Sequence, residues 1–148
     1  MANEEQRFQQ GVLRSYEGEG VIVHWEPSLC IHTTNCIRAL PQTFDPRARP
    51  WVRLEGVSAD EVVAAVESCP TGALTYERTG GGQQERPPFP ATIQPRLNGP
   101  LFVRGEVEII DAQGNVVRRA TRLALCRCGH SQNKPYCDLS HRAAGFRS

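Results

Sequence analysis

Residues 80–90, Gly-Gly-Gly-Gln-Gln-Glu-Arg-Pro-Pro-Phe-Pro, restrict the folding options of this chain more than any other stretch. Three glycines followed by three prolines continue neither a helix nor a central strand. The 148 residues are therefore expected to fall into two short halves, 1–80 and 97–148, joined by a Gly/Pro-rich linker over 81–96. Halves of that size bury thin cores and usually need a metal, disulfides or a partner as a supplement. The six cysteines supply candidates, three on each side of the break: Cys30, Cys36 and Cys69, then Cys126, Cys128 and Cys137.

The first ten residues, MANEEQRFQQ, are polar and charged and carry no secretory pattern. No stretch approaches the ~18 apolar residues of a membrane span. A cytoplasmic location follows as the expectation, and there thiols stay reduced and cysteine clusters tend to hold metal. Net charge is +1, with no nucleic-acid signature, but it is unevenly spread. Residues 1–80 carry 7 Arg against 11 acids, net −4, whereas residues 81–148 carry 10 Lys or Arg against 5 acids, net +5. These are either two unrelated surfaces or surfaces that attract each other or oppositely charged partners.

In the first half, Val21–Trp25 reads as a strand and residues 36–40 as a short helix stopped by Pro41. Ser58-Ala59-Asp60-Glu61 is a capping box, opening a helix with Ala59, Val62, Val63 and Val66 on one face. That helix should end before Pro70, with Cys69 at its edge and residues 74–76 returning as a strand. Trp25 and Trp51 are expected to fill the small core, and His24 and His130 to be surface or packing residues. In the second half, residues 101–103, 107–110 and 116–125 read as strands, with a turn over 111–115 and Arg118-Arg119 as a solvated strand end. This β-rich unit delivers Cys126 from a strand end into a loop.

Cys126, Cys128, Cys137 and His141 lie within 16 residues, three soft thiolates and an imidazole that suffice for a four-ligand metal site. Zinc takes such sets, though its cysteines usually pair as C-x₂₋₄-C rather than the C-x-C found here. The run C-x-C-x₂-S-x₃-P-x-C-D-x-S-H resembles the signature of the CDGSH iron–sulfur (mitoNEET-like) family over about residues 97–142. The resemblance implies a [2Fe–2S] cluster, with Cys126 and Cys128 on one iron and Cys137 and His141 on the other. It gives supporting places to Ser131, Pro135, Asp138 and Ser140. Leu139 stands where that family has glycine, and a requirement for φ > 0 there would strain it.

Cys30 and Cys36 form C-x₅-C, and Cys69-Pro70 follows some 33 residues later. Bacterial ferredoxins use C-x₂-C-x₂-C-x₃-C-P, and Thr33 occupies the place of the middle cysteine. The pattern over about residues 20–77 resembles single-cluster ferredoxins that work beside cytochromes P450, and more closely the divergent single-cluster ferredoxin family. That likeness implies a small ferredoxin-like domain with a three-cysteine [3Fe–4S] cluster. A [4Fe–4S] cluster with water, Thr33 or His32 on the fourth corner is the alternative, and three buried cysteines acting as small hydrophobes a further one.

The expected whole is an α+β protein: a ferredoxin-like domain, a linker and a β-rich CDGSH domain. It would be a soluble one-electron carrier for a redox partner protein. The alternatives are storage, sensing or transfer of a labile cluster to an acceptor protein, and a zinc-stabilised interaction module. No phosphate loop, nucleotide fingerprint or nucleophile–base pair points to an enzyme.

Overall fold

In a computed structural model, which describes residues 13–148, the first elements are strands β1 (Arg14–Gly18) and β2 (Val21–Trp25). They form a hairpin closed by Glu19 and Gly20, with Gly20 at φ +77°, a conformation that glycine adopts without strain. Strand β1 escapes a reading by pattern because Arg14-Ser15-Tyr16-Glu17 offers no apolar alternation. Its pairing with β2 holds it. Helix α1 (Asn35–Ala39) and helix α2 (Ala59–Glu67) follow, and strand β3 (Leu74–Arg78) completes an antiparallel sheet in the order β1-β2-β3.

The expected capping box opens α2. Ser58 Oγ accepts from the Glu61 backbone N–H at 3.2 Å, and the Glu61 carboxylate accepts from the Ser58 N–H at 3.2 Å. Val62, Val63, Ala65 and Val66 of α2 pack on Val21, Val23, Leu74 and Tyr76 of the sheet, with Phe44, Val52 and Leu54 filling the remainder. Cys36 and Cys69 lie at the margin of this core, and so do Trp25 and Trp51.

The described residues divide into two units, Leu13–Arg86 and Pro87–Ser148. In the second, strands β4 (Thr92–Pro95), β5 (Leu101–Ile110) and β6 (Val116–Leu125) form an antiparallel sheet in chain order. Strand β4 lies inside the stretch 81–96 expected to be linker. Thr92 and Ile93 suit a strand, and Pro95 sits at its end, where a missing N–H does least harm.

The two runs expected at 101–103 and 107–110 are one strand, β5, interrupted by a register shift between Arg104 and Val107. Gly105 makes the shift with φ +141°, and a Cβ there would stand 2.5 Å from the Ala91 Cβ. Both the conformation and the close approach demand glycine. The core of this unit is small, comprising Val103, Val117, Leu123, Ala124 and Tyr136, with Cys137 buried among them. Among the described residues, no helix is long and apolar enough to cross a membrane.

Candidate metal centres

Strand β6 ends at Leu125, and the chain then folds back on it. Leu125 bridges Tyr136, the Cys126 N–H donates to Pro135 O at 2.8 Å, and the Cys137 N–H donates to Ala124 O at 2.9 Å. These bonds close the loop 126–136 and set Cys137 beside the strand end that carries Cys126. Inside the loop, buried Ser131 donates to Tyr136 O at 2.6 Å and accepts from the Asn133 N–H at 3.0 Å. Asp138 accepts from the backbone N–H groups of Gln132, at 2.8 Å, and Ser140, at 3.0 Å. Helix α3 (Ser140–Ala143) then starts and carries His141.

The four candidate ligands meet two by two. Cys126 Sγ and Cys128 Sγ are 3.8 Å apart, and Cys137 Sγ and His141 Nδ1 are 3.7 Å apart. Two ligands on one tetrahedral metal, with a metal–sulfur bond of about 2.3 Å and a metal–nitrogen bond of about 2.0–2.1 Å, stand about 3.6–3.8 Å apart. Each pair therefore has the spacing of one metal ion. Among the described residues, no three Cys, His, Asp or Glu side chains are gathered as a single ion would need. The geometry suits two metals side by side better than one.

Backbone N–H groups point at the sulfurs: His130 donates to Cys128 Sγ at 3.3 Å and Leu139 to Cys137 Sγ at 3.4 Å. Burial would raise the Cys126 thiol, but the backbone N–H groups of Ser131 and Gly129 and the Cys128 side chain outweigh it and bring it below the ordinary value. Burial pushes the Cys137 thiol up, so its thiolate is better held by a cation than left alone. Burial and the Arg142 charge push His141 down and keep its imidazole neutral, as a metal ligand must be. The donor set fits an iron–sulfur group.

Leu139 adopts φ 72°, ψ 6°. The left-handed conformation is thus required at this position, and a leucine occupies it. An L-residue there is strained by about 1–2 kcal/mol. Leu139→Gly should stabilise the second unit by about 1 kcal/mol without altering its metal content, as read from denaturant unfolding alongside iron analysis. An unchanged or lower midpoint would show that the half-buried leucine side chain returns as much as its backbone loses.

In the first unit, Cys30 follows a 3₁₀ turn at Pro27–Leu29, Cys36 lies in the first turn of α1, and Cys69 follows α2. Two contacts gather them: Asn35 Nδ2 donates to Ser68 O at 2.9 Å, and the Glu26 N–H donates to Ala73 O at 2.8 Å. All three cysteines line one cavity of about 590 Å³, together with His32, Thr33 and Thr71. Burial pushes the thiols of Cys30 and Cys36 up, Cys36 to about 11, and Cys69 adds to the shift in both. Three mutually opposed thiols around a cavity suit a cationic iron cluster.

His32 (φ 57°) and Thr34 (φ 64°) take left-handed conformations in this loop, the kind of strain that collects at functional sites. Cys30 Sγ is 3.7 Å from His32 Nδ1, and Cys69 Sγ is 3.5 Å from Thr71 Oγ1.

Trp25 and Trp51 pair edge-on at 4.7 Å and line the same cavity, so they wall the cysteine site as well as flank the core. His24 stands on the sheet, bonded to Ser15 Oγ at 2.7 Å and 3.6 Å from Glu77. The Arg118-Arg119 pair is split. Arg119 meets Glu108 at 2.9 Å, whereas Arg118 donates to Tyr136 Oη at 2.7 Å and lies over its ring. Asn35, Thr71 and Tyr136 are not the soft ligands that the motifs display, and they escaped the sequence reading. Only their position one or two residues from a cysteine marks them.

Two sets of candidate ligands, each gathered by its own small unit, suit an iron–sulfur cluster-binding protein, and the family models point to that class. Residues 16–79 match the family described as divergent 4Fe-4S mono-cluster, and residues 98–142 match the iron-binding zinc finger of CDGSH type. The uncharacterized protein YjdI of Escherichia coli K12 is 33% identical over 72 residues, which cover 49% of this chain and 95% of YjdI. YjdI of Escherichia coli O157:H7 matches to the same extent. The chain belongs to one family with YjdI, and it joins a divergent 4Fe-4S mono-cluster domain to a CDGSH domain.

Proposed function

We propose that this protein is a soluble, cytoplasmic one-electron carrier with two iron–sulfur centres and no catalytic activity of its own. Cys126, Cys128, Cys137 and His141 hold a [2Fe–2S] cluster. Cys30, Cys36 and Cys69 hold a [3Fe–4S] cluster, or a [4Fe–4S] cluster whose fourth corner has no cysteine. The first centre sits in a ferredoxin-like domain over 1–80, the second in a CDGSH domain over 97–148, with the segment 81–96 between them. The observation that carries the reading is the pairing of ligands at 3.8 Å and 3.7 Å, each the spacing of two ligands on one metal ion, which supports two neighbouring metals. Centres that change by one electron suit relay to a redox partner protein. Transfer of a labile cluster to an acceptor protein is the second reading. It is favoured by His141, which is only partly buried and so within reach of protons.

Freshly purified protein should contain about five irons per chain, matching sulfide, negligible zinc and a visible spectrum from both centres. About two irons alone would remove the first centre and leave the second. Stoichiometric zinc without colour would overturn both.

A further inference from the structure

We propose that the end of the second unit bearing His141 is a docking face for an acidic protein, the electron-transfer partner of the carrier. The inference rests on the reading of this end as a cluster site. From Cys126 onward the side chains include four cations, Arg127, Lys134, Arg142 and Arg147, against one carboxylate, Asp138. Asp138 accepts from the N–H groups of Gln132 and Ser140 and offsets one of the four cations, leaving an excess of three positive charges. Arg127 is engaged, donating to Gly99 O at 2.9 Å and Arg96 O at 2.7 Å and lying over the Phe146 ring. Lys134, Arg142 and Arg147 remain exposed.

Two of these exposed cations flank Cys137 and His141 in the chain. Lys134 precedes Pro135, whose carbonyl takes the Cys126 N–H, and Arg142 follows His141, close enough for its charge to act on the imidazole. Charges within about 10 Å of the contact steer an oppositely charged partner and orient it on arrival. A single-stranded nucleic acid would need exposed rings to stack its bases. Tyr136 is buried and Phe146 lies beneath Arg127, leaving the His130 imidazole as the exposed ring of the loop, which is little for base stacking, so this face favours an acidic protein.

The test uses the full-length, cluster-loaded protein and a fluorescent peptide of about ten glutamates, followed by anisotropy at low salt, where surface charge is least screened. Lys134→Glu with Arg142→Glu should weaken binding at least tenfold, and added salt should weaken it in the wild type. Arg53→Glu, an exposed site in the other unit, should change nothing. A second reading uses oxidation of the reduced protein by ferricyanide, which takes one electron to become ferrocyanide, and by hexaamminecobalt(III), which takes one to become cobalt(II). The double variant should react severalfold more slowly with the anion and faster with the cation.

Equal peptide binding by both proteins, or tighter binding of an oligothymidine than of the peptide, would overturn the proposal. Should the double variant fail to load its cluster, Lys134→Gln with Arg142→Gln gives the same comparison at half the charge change. Wild-type protein without a second cluster would sink the function proposed above, while peptide binding would still report on the face.

Discussion

Replacing His141 with cysteine is expected to lower the reduction potential of the second centre, flatten its pH dependence and slow the release of iron in acid. A neutral imidazole carries one negative charge fewer than a thiolate, so a centre with one histidine accepts an electron more readily than an all-cysteine centre. Two histidines give Rieske centres potentials of about −150 to +300 mV, against about −400 mV for plant-type ferredoxins. One histidine should fall between these classes. The pairing of Cys137 Sγ with His141 Nδ1 leaves the other ring nitrogen to carry a proton. Where the oxidised centre loses that proton and the reduced one keeps it, the potential should fall by up to about 59 mV per pH unit, the one-electron tenfold step.

The acid side follows from the same residue. Burial and the Arg142 charge hold the His141 pKa below its ordinary value of 6.5 in the folded chain. A group depressed in this way favours the folded state fully above 6.5, and that contribution is lost as pH falls from there through the depressed value. Protons also compete with iron for the imidazole in acid, so wild-type iron release should accelerate as pH falls below neutrality. Potentiometry across pH and stopped-flow bleaching in acid measure both effects. A His141→Cys protein with unchanged potential and unchanged acid bleaching would show that His141 is no ligand. A changed potential, with wild-type bleaching already slow in mild acid, would favour electron relay over cluster delivery.

What could be read from the sequence followed from local chemistry. The capping box at Ser58 and Glu61 needs only four consecutive residues, and the structure closes it as expected. Strand β2 is a run of β-branched and aromatic residues and needs no distant information. The requirement at Leu139 was visible only as a question, because a side chain in a motif cannot disclose its own φ. Strands β1 and β4 were missed for one reason: both are exposed edge strands held by hydrogen bonds to a neighbour rather than by an apolar pattern. The contacts that gather the ligands are equally non-local. Asn35 reaches Ser68 across 33 residues, and Arg127 reaches Arg96 across 31, and neither residue type announces such a partner.

That last contact leads to a large expected effect of truncation. A fragment beginning at Pro87 should keep its cluster, because among the described residues the hydrogen bonds given around the second site all fall within Pro87–Ser148. A fragment beginning at Leu97 keeps all four candidate ligands but loses β4, and with it the pairing of Thr92–Pro95 against Leu101–Arg104. It also loses the Arg96 carbonyl that accepts from Arg127, the residue between Cys126 and Cys128. A hydrogen bond from a charged donor contributes about 1.5–3 kcal/mol, with the lower end fitting this partly exposed guanidinium. Each 1.4 kcal/mol is about tenfold in an equilibrium. With the strand pairing added, the shorter fragment should retain iron at least tenfold less well than the longer one in a chelator challenge. Equal retention would mean that β4 is an ornament of the sheet and that the loop 126–141 holds its ligands without it. Loss of iron from both fragments, with both still soluble, would mean that the second site depends on residues before Pro87 and that the two units are one cooperative structure.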